Sequence, residues 1–259
     1  MSSALGPKPG VAVRYPDSDG KPMADNTRQF RWIVILKEGL EFAFRDRPDV
    51  FVAGDLLWYA EEGSPKVRMA PDAMVVFGRP KGDRGSYMQW VEEGIAPQVV
   101  FEVHSPGNRR GKLQEKFRFY EEHGVEEYYY YNPDNGRLTG WLRSGDKLEP
   151  IANLDGFTSP WLGVRFEPGR GPEQLKVIDR NGRRFQSPLE VAERLEAEQR
   201  RADSEQKRAD SEQKRADSEQ KRADSEQRRA DSEHTRAEAE RRRAERLAAR
   251  LRELGEDVD

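Results

Sequence analysis

The sequence predicts an α/β domain built on a mixed sheet and followed by a long charged helix. Nearly all apolar and aromatic residues lie before position 190. Short, continuous apolar runs at 73–77 and 98–103 sit between stretches of helical spacing, the pattern of buried strands flanked by helices. Beyond them a seven-residue unit repeats, and a period of seven belongs to helices.

The elements follow in order. Residues 1–22 are rich in Pro and Gly and read as a loosely ordered arm. From Asn26, with Asn26 or Thr27 as the cap, Phe30, Ile33, Val34, Leu36, Leu40 and Phe44 recur at three- and four-residue spacing. Residues 51–59 read as one strand, 73–77 and 98–103 as two buried strands, and 112–123 as a helix stopped by Gly124. Residues 127–131 form another strand, which Asn135-Gly136 turns into 138–142. Short strands near 148–151, 164–166 and 175–178 are expected to extend the same sheet.

In the tail, RADSEQK begins at Arg201 and recurs from positions 208, 215, 222 and 229. Asp203 and Lys207 stand four apart in the favourable order, a pair that stabilises an exposed helix by about 0.2–0.5 kcal/mol. With Ala202 at the first heptad position, the register reaches back to Leu195 and Val191 and forward to Ala244, Leu247, Leu251 and Leu254. Glu205 and its equivalents fill the other seam position, so the seam buries little. A weak coiled coil and a single charged helix both fit.

Composition narrows the chemistry. The chain has 259 residues, 36% charged and 35% hydrophobic, with net charge −3, so no global basic field draws nucleic acid. There is no cysteine, which excludes disulfides and thiolate metal sites, and three histidines leave little scope for a zinc site. No apolar run approaches the ~18 residues of a membrane span, and the N-terminus lacks the features of a signal peptide, so a cytoplasmic protein is expected.

Two carboxylates stand out. Asp72 heads one buried strand and Glu102 interrupts the apolar run Val99-Val100-Phe101-Glu102-Val103. A carboxylate among buried strands is costly unless it is paired or coordinates metal. Paired acids on adjacent strands, with Lys116 on the next helix, would suit phosphodiester hydrolysis: oxygen ligands for a divalent cation and an ammonium to steer water. Glu102 could equally form an ion pair with Arg109 or Lys116. His104 reads either as a ligand or proton shuttle or as a polar strand-end residue. Arg109, Arg110 and Lys112 read as a phosphate-facing patch or as a solvated helix face. Trp58, Tyr59, Tyr87, Trp90 and the tyrosine run 128–131 can stack bases, although strand alternation sends half of that run into a core.

The segments PMADNT (22–27), AGDLLWY (53–59), PDAMVVFG (71–78), GSYMQW (85–90), FEVHSPGN (101–108), KFRFY (116–120), GVEEY (124–128) and SPWLG (159–163) resemble, in order, the Uma2 family. That family is a branch of the restriction-endonuclease-like PD-(D/E)xK superfamily. The resemblance implies a restriction-endonuclease-like core with Asp72 and Glu102 as catalytic, Mg²⁺- or Mn²⁺-binding acids. The superfamily lysine usually lies two residues after the glutamate, where this chain has His104; in this family it has moved to the next helix, which points to Lys116 as the third catalytic residue. Asp55 matches a further family acid. Lys112 stands where relatives often carry an acid, and Asn132 replaces the usual aspartate before Pro133.

The expected organisation is an arm (1–22), a restriction-endonuclease-like domain (23–187) and a charged heptad-repeat tail (188–259). The expected function is a metal-dependent DNA endonuclease with no membrane association and weak self-association through the tail. A catalytically inactive nuclease fold that binds partners through its tail is the alternative.

Overall fold

Asn26 starts the first helix. Its side chain accepts from the backbone N–H of Gln29, a donor left over at the helix start, and the Gln29 side chain reaches back to accept from the N–H of Asp25, just before the cap. The computed structural model describes residues 13–20, 22–107 and 110–253. Its first helix, α1 (Thr27–Ala43), buries Trp32, Ile33, Ile35, Leu36 and Leu40. Phe30, expected on that apolar face, is exposed instead. Gly39 is required by packing, since a Cβ there would lie 2.3 Å from the ring of Phe185.

The strands are β1 (Val50–Ala53), β2 (Trp58–Tyr59), β3 (Arg68–Met69), β4 (Ala73–Phe77), β5 (Tyr87–Met88) and β6 (Val99–Val103). Helix α2 (Arg110–Glu122) follows, then β7 (Glu127–Asn132), β8 (Arg137–Ser144), β9 (Lys147–Pro150), β10 (Arg165–Glu167), β11 (Lys176–Ile178) and α3 (Pro188–Glu253). The central sheet runs β1-β4-β6-β7-β8-β9. Only β6 and β7 are parallel, joined by the α2 crossover, so the sheet is mixed as the sequence predicts.

Alternation along the strands gives the sheet two apolar faces. Val50, Val52, Ala73, Val75, Val99, Phe101, Tyr129 and Tyr131 face one core with α1. Phe51, Met74, Val76, Val100 and Tyr128 face a second with Phe119 and Tyr120 of α2. Both faces are therefore covered by helices, which is why the central strands read as unbroken apolar runs.

Two expectations need correction. The stretch 51–59 is not one strand: the chain turns at Gly54 and Asp55, where Asp55 has φ 50°, and β2 joins a separate three-stranded sheet, β3-β2-β5. The segments near 164–166 and 175–178 do not extend the central sheet but pair with each other as β10-β11.

By its internal packing the chain divides into units 1–191 and 192–259. Helix α3 continues unbroken through every repeat. Its aspartates find partners other than those expected: Gln206, Gln213, Gln220 and Gln227 each donate to the aspartate four residues later. Among the described residues no Asp–Lys pair closes within the repeats. The shorter glutamine needs less ordering than lysine and makes the same i to i+4 contact. No helix among the described residues is long and apolar enough to cross a membrane.

Glu127, buried at the start of β7, accepts from the Ser159 hydroxyl, from Tyr129 Oη at 2.9 Å and from the Trp161 N–H at 2.8 Å, tying the 159–162 turn to the sheet. Burial pushes its carboxyl above the usual pKa despite these donors. A raised folded-state pKa means that its contribution to stability is full below the unfolded value, about 4.3, and is lost as pH rises through the folded one. Wild-type stability relative to Glu127→Gln should therefore fall as pH rises from about 4.3, as read by urea denaturation at a series of pH values. Glu127→Ala, which strands three donors, should cost about 2–4 kcal/mol below about pH 4 and less as pH rises.

Candidate active site

Sheet register brings the two acids together. Ala73 pairs with Phe101 in the antiparallel β4-β6 ladder, so one step further the ladder sets Asp72 opposite Glu102. Both face the α2 side, in line with Met74 and Val100. Asp72 Oδ2 accepts from the Val103 N–H at 2.6 Å, which closes that end of the ladder. Glu102 is fully buried and Asp72 is 5% exposed.

Helix α2 supplies the counter-groups. Lys116 and Tyr120 stand one turn apart on its sheet-facing side. Lys116 Nζ lies 2.5 Å from Glu102 Oε2, and Tyr120 Oη donates to Glu102 Oε1 at 2.5 Å. Gln29 approaches from α1 and donates to the Val103 carbonyl at 3.4 Å.

The buried acids outnumber the cation paired to them among the described residues. Two buried carboxylates face one ammonium, and burial, reinforced by the Glu102 charge, pushes Asp72 up to about 8. Burial pulls Lys116 down, but the Glu102 and Asp72 carboxylates more than offset it, so the lysine is held above its usual value and stays protonated. Asp55, half-buried, is raised to about 6 by burial and then by the charge of Asp19. Its N–H donates to the Pro71 carbonyl at 3.0 Å, which places it beside Asp72.

An open cleft of about 330 Å³ gives access. Asp55, Asp72 and Lys116 line it, together with Asp19, Asp25 and Glu115 and the basic Lys66, Arg68 and Lys112. Among the described residues none of these three basic side chains pairs with a carboxylate. Asp72, Glu102, Lys116 and Asp55 are thus brought together, and Lys112 stands on the rim.

His104 is not on the cleft wall: its Nδ1 lies 2.5 Å from Tyr130 Oη. Arg109 and the side chain of Arg110 lie outside the described residues. Sequence reasoning missed Tyr120 and Gln29. Tyr120 could have been found four residues after Lys116, and Gln29 from its place three residues after Asn26.

The model of the Uma2 family, described as "Putative restriction endonuclease", matches residues 18–166, more than half of the sequence. The chain belongs to the Uma2 family. Every residue of the acid–lysine cluster falls inside the matched region, and α3 falls outside it. The mixed sheet between α1 and α2 is the nuclease-like α/β core that the sequence predicts. Among solved structures, the chain is similar to one described as a putative nuclease belonging to DUF820 from Anabaena variabilis. They are 14% identical, with TM-score 0.41, over 55% of this chain and 77% of the other. Comparison with curated proteins finds no match.

Removing the Lys116 ammonium tests the ion pair directly. In EDTA, Lys116→Met should destabilise the fold by about 3 kcal/mol, because it leaves the buried Glu102 carboxylate without its cation. Glu102→Gln in the same chain should recover most of the loss, and thermal denaturation of the double-mutant cycle measures both.

Proposed function

We propose that this Uma2 domain is a divalent-metal-dependent endonuclease that hydrolyses phosphodiester bonds in DNA. The observation that carries the reading is the buried acid pair: Asp72 and Glu102 face each other, with Lys116 the one cation paired to them among the described residues. A bound divalent ion would offset the burial and the Glu102 charge that raise Asp72.

The donor set fits such an ion. Among the described residues no three His, Asp or Glu side chains form a ready-made cage. Mg²⁺, however, takes one or two carboxylates and keeps several waters, and Mn²⁺ shares its preference for oxygen. Both Glu102 oxygens hold a hydrogen bond, yet a carboxylate offers about four lone-pair positions, so each oxygen retains one. Asp72 and Glu102 would hold the ion, with Asp55 as an auxiliary acid on the cleft wall. Bound there, Mg²⁺ or Mn²⁺ supplies a Lewis acid and lowers the pKa of its water.

The remaining steps belong to the protein. Lys116 keeps its proton beside Glu102 and can orient a nucleophilic water and offset negative charge growing on the phosphate. Tyr120 locks the Glu102 carboxylate from the opposite side. Lys66, Arg68 and Lys112 offer positive charge to backbone phosphates flanking the scissile bond. The family description supports DNA as the substrate.

Plasmid nicking in Mn²⁺, with calorimetry for metal binding, tests the reading. Asp72→Ala should lose both Mn²⁺ binding and nicking. Lys116→Ala should keep Mn²⁺ binding and lose about 10²–10³-fold in rate. A folded wild-type protein that neither binds Mn²⁺ nor nicks would overturn the proposal in favour of an inactive nuclease fold acting through α3, including weak self-association along it.

A further inference from the structure

Helix α2 separates two hollows. Lys112, Glu115 and Lys116 line the cleft of the candidate active site, and Leu113, Phe117 and Arg118 line a second space of about 410 Å³ over β7 and β8. Its floor is Tyr128, buried, and its walls include the half-buried Tyr130 and Trp141. Tyr128 and Trp141 are register partners and stack at 4.9 Å with 15° between planes, and Phe117 meets Trp141 edge-on at 5.5 Å. Elsewhere most aromatic side chains of this domain are closed into its cores. Here three rings keep open surface around an empty space.

We propose that this hollow is a base-stacking subsite for an unpaired nucleobase of the substrate strand, close to the scissile phosphate. The inference rests on the endonuclease reading and adds where the strand lies and what state of the base is recognised. Two further observations select a nucleotide over a purely apolar partner. Arg118, on the wall, is exposed and has no carboxylate partner among the described residues, so it is available to a phosphate or to stack over a base. The hollow also adjoins the acids, because Tyr130 is the register partner of Glu102 across β6-β7. Strand spacing then sets Trp141 on β8 about 10 Å from β6, on the same face as Glu102. Aromatic platforms beside cations are how proteins hold single strands without reading their sequence. A base paired within a duplex cannot enter, so the subsite favours strands that are single, frayed or locally opened.

The test uses the full chain with Ca²⁺ in place of Mn²⁺, and anisotropy of a fluorescein-labelled 12-mer of thymidine against a duplex of equal length. Trp141→Ala should weaken single-strand binding roughly tenfold, the scale of one lost base stack. Trp141→Phe should stay within about twofold of wild type, and duplex affinity should move by less than about twofold. Arg118→Glu, on an exposed helix face where the fold is not at stake, should also weaken the single strand severalfold. That pattern supports the subsite whether or not the protein nicks plasmid. Single-strand binding unchanged in both Trp141→Ala and Arg118→Glu overturns it even where nicking is intact. Wild-type protein that fails to bind the 12-mer overturns it as well. So does a dimer that Trp141→Ala dissociates without changing oligonucleotide affinity, which would assign the hollow to a second copy of the chain.

Discussion

The domain is arranged around two buried acids that share one lysine. Asp72 and Glu102 face each other across β4 and β6, in a position where burying one carboxylate is already costly. Lys116 compensates one of them, and Tyr120 and the Val103 N–H each donate a hydrogen bond to one of the pair. A fold selected for stability alone would place apolar side chains at these positions. Retaining the acids makes sense where their shared charge is used.

Much of this constraint is readable in the sequence because it violates a local rule. A glutamate inside Val-Val-Phe-Glu-Val breaks an otherwise apolar strand, and a break of that kind marks either an ion pair or a site. Here it is an ion pair inside what reads as a site. Lys116 is less legible, since nothing in its spacing sets it apart from Lys112, and the family resemblance adds the stronger reason to choose it. The helix explains the difference: Lys116 shares the sheet-facing side with Tyr120, and Lys112 opens onto the cleft rim. Tyr120 escaped notice because an aromatic side chain at helical spacing reads first as core. It is core, and its hydroxyl alone belongs to the site.

The sequence misleads where tertiary pairing overrides pattern. Residues 51–59 have the composition of one long strand, yet Gly54 and the left-handed Asp55 turn the chain between two sheets. That turn carries Asp55 to the wall of the cleft, so the error in element assignment falls at a candidate site residue. Apolar runs near 164–166 and 175–178 satisfy each other as a hairpin, which composition cannot distinguish from an extension of the main sheet. In α3 the heptad was legible and the pairing was not, because Gln and Lys compete for the same aspartates four residues away.

Helix α2 links the physics of the core to the chemistry proposed for its surface. As the crossover between the parallel strands β6 and β7, it must lie across the sheet above them. One flank therefore overlooks the strand that carries Glu102, and the other overlooks the aromatic strands β7 and β8. The same alternation that buries Tyr129 and Tyr131 beneath α1 presents Tyr128 and Tyr130 beneath α2, beside the acids. A single crossover thus sets cations, carboxylates and open aromatic surface along one helix. Phosphate chemistry and base stacking then need no second binding domain, because the connection that makes the sheet mixed also places both on the same face.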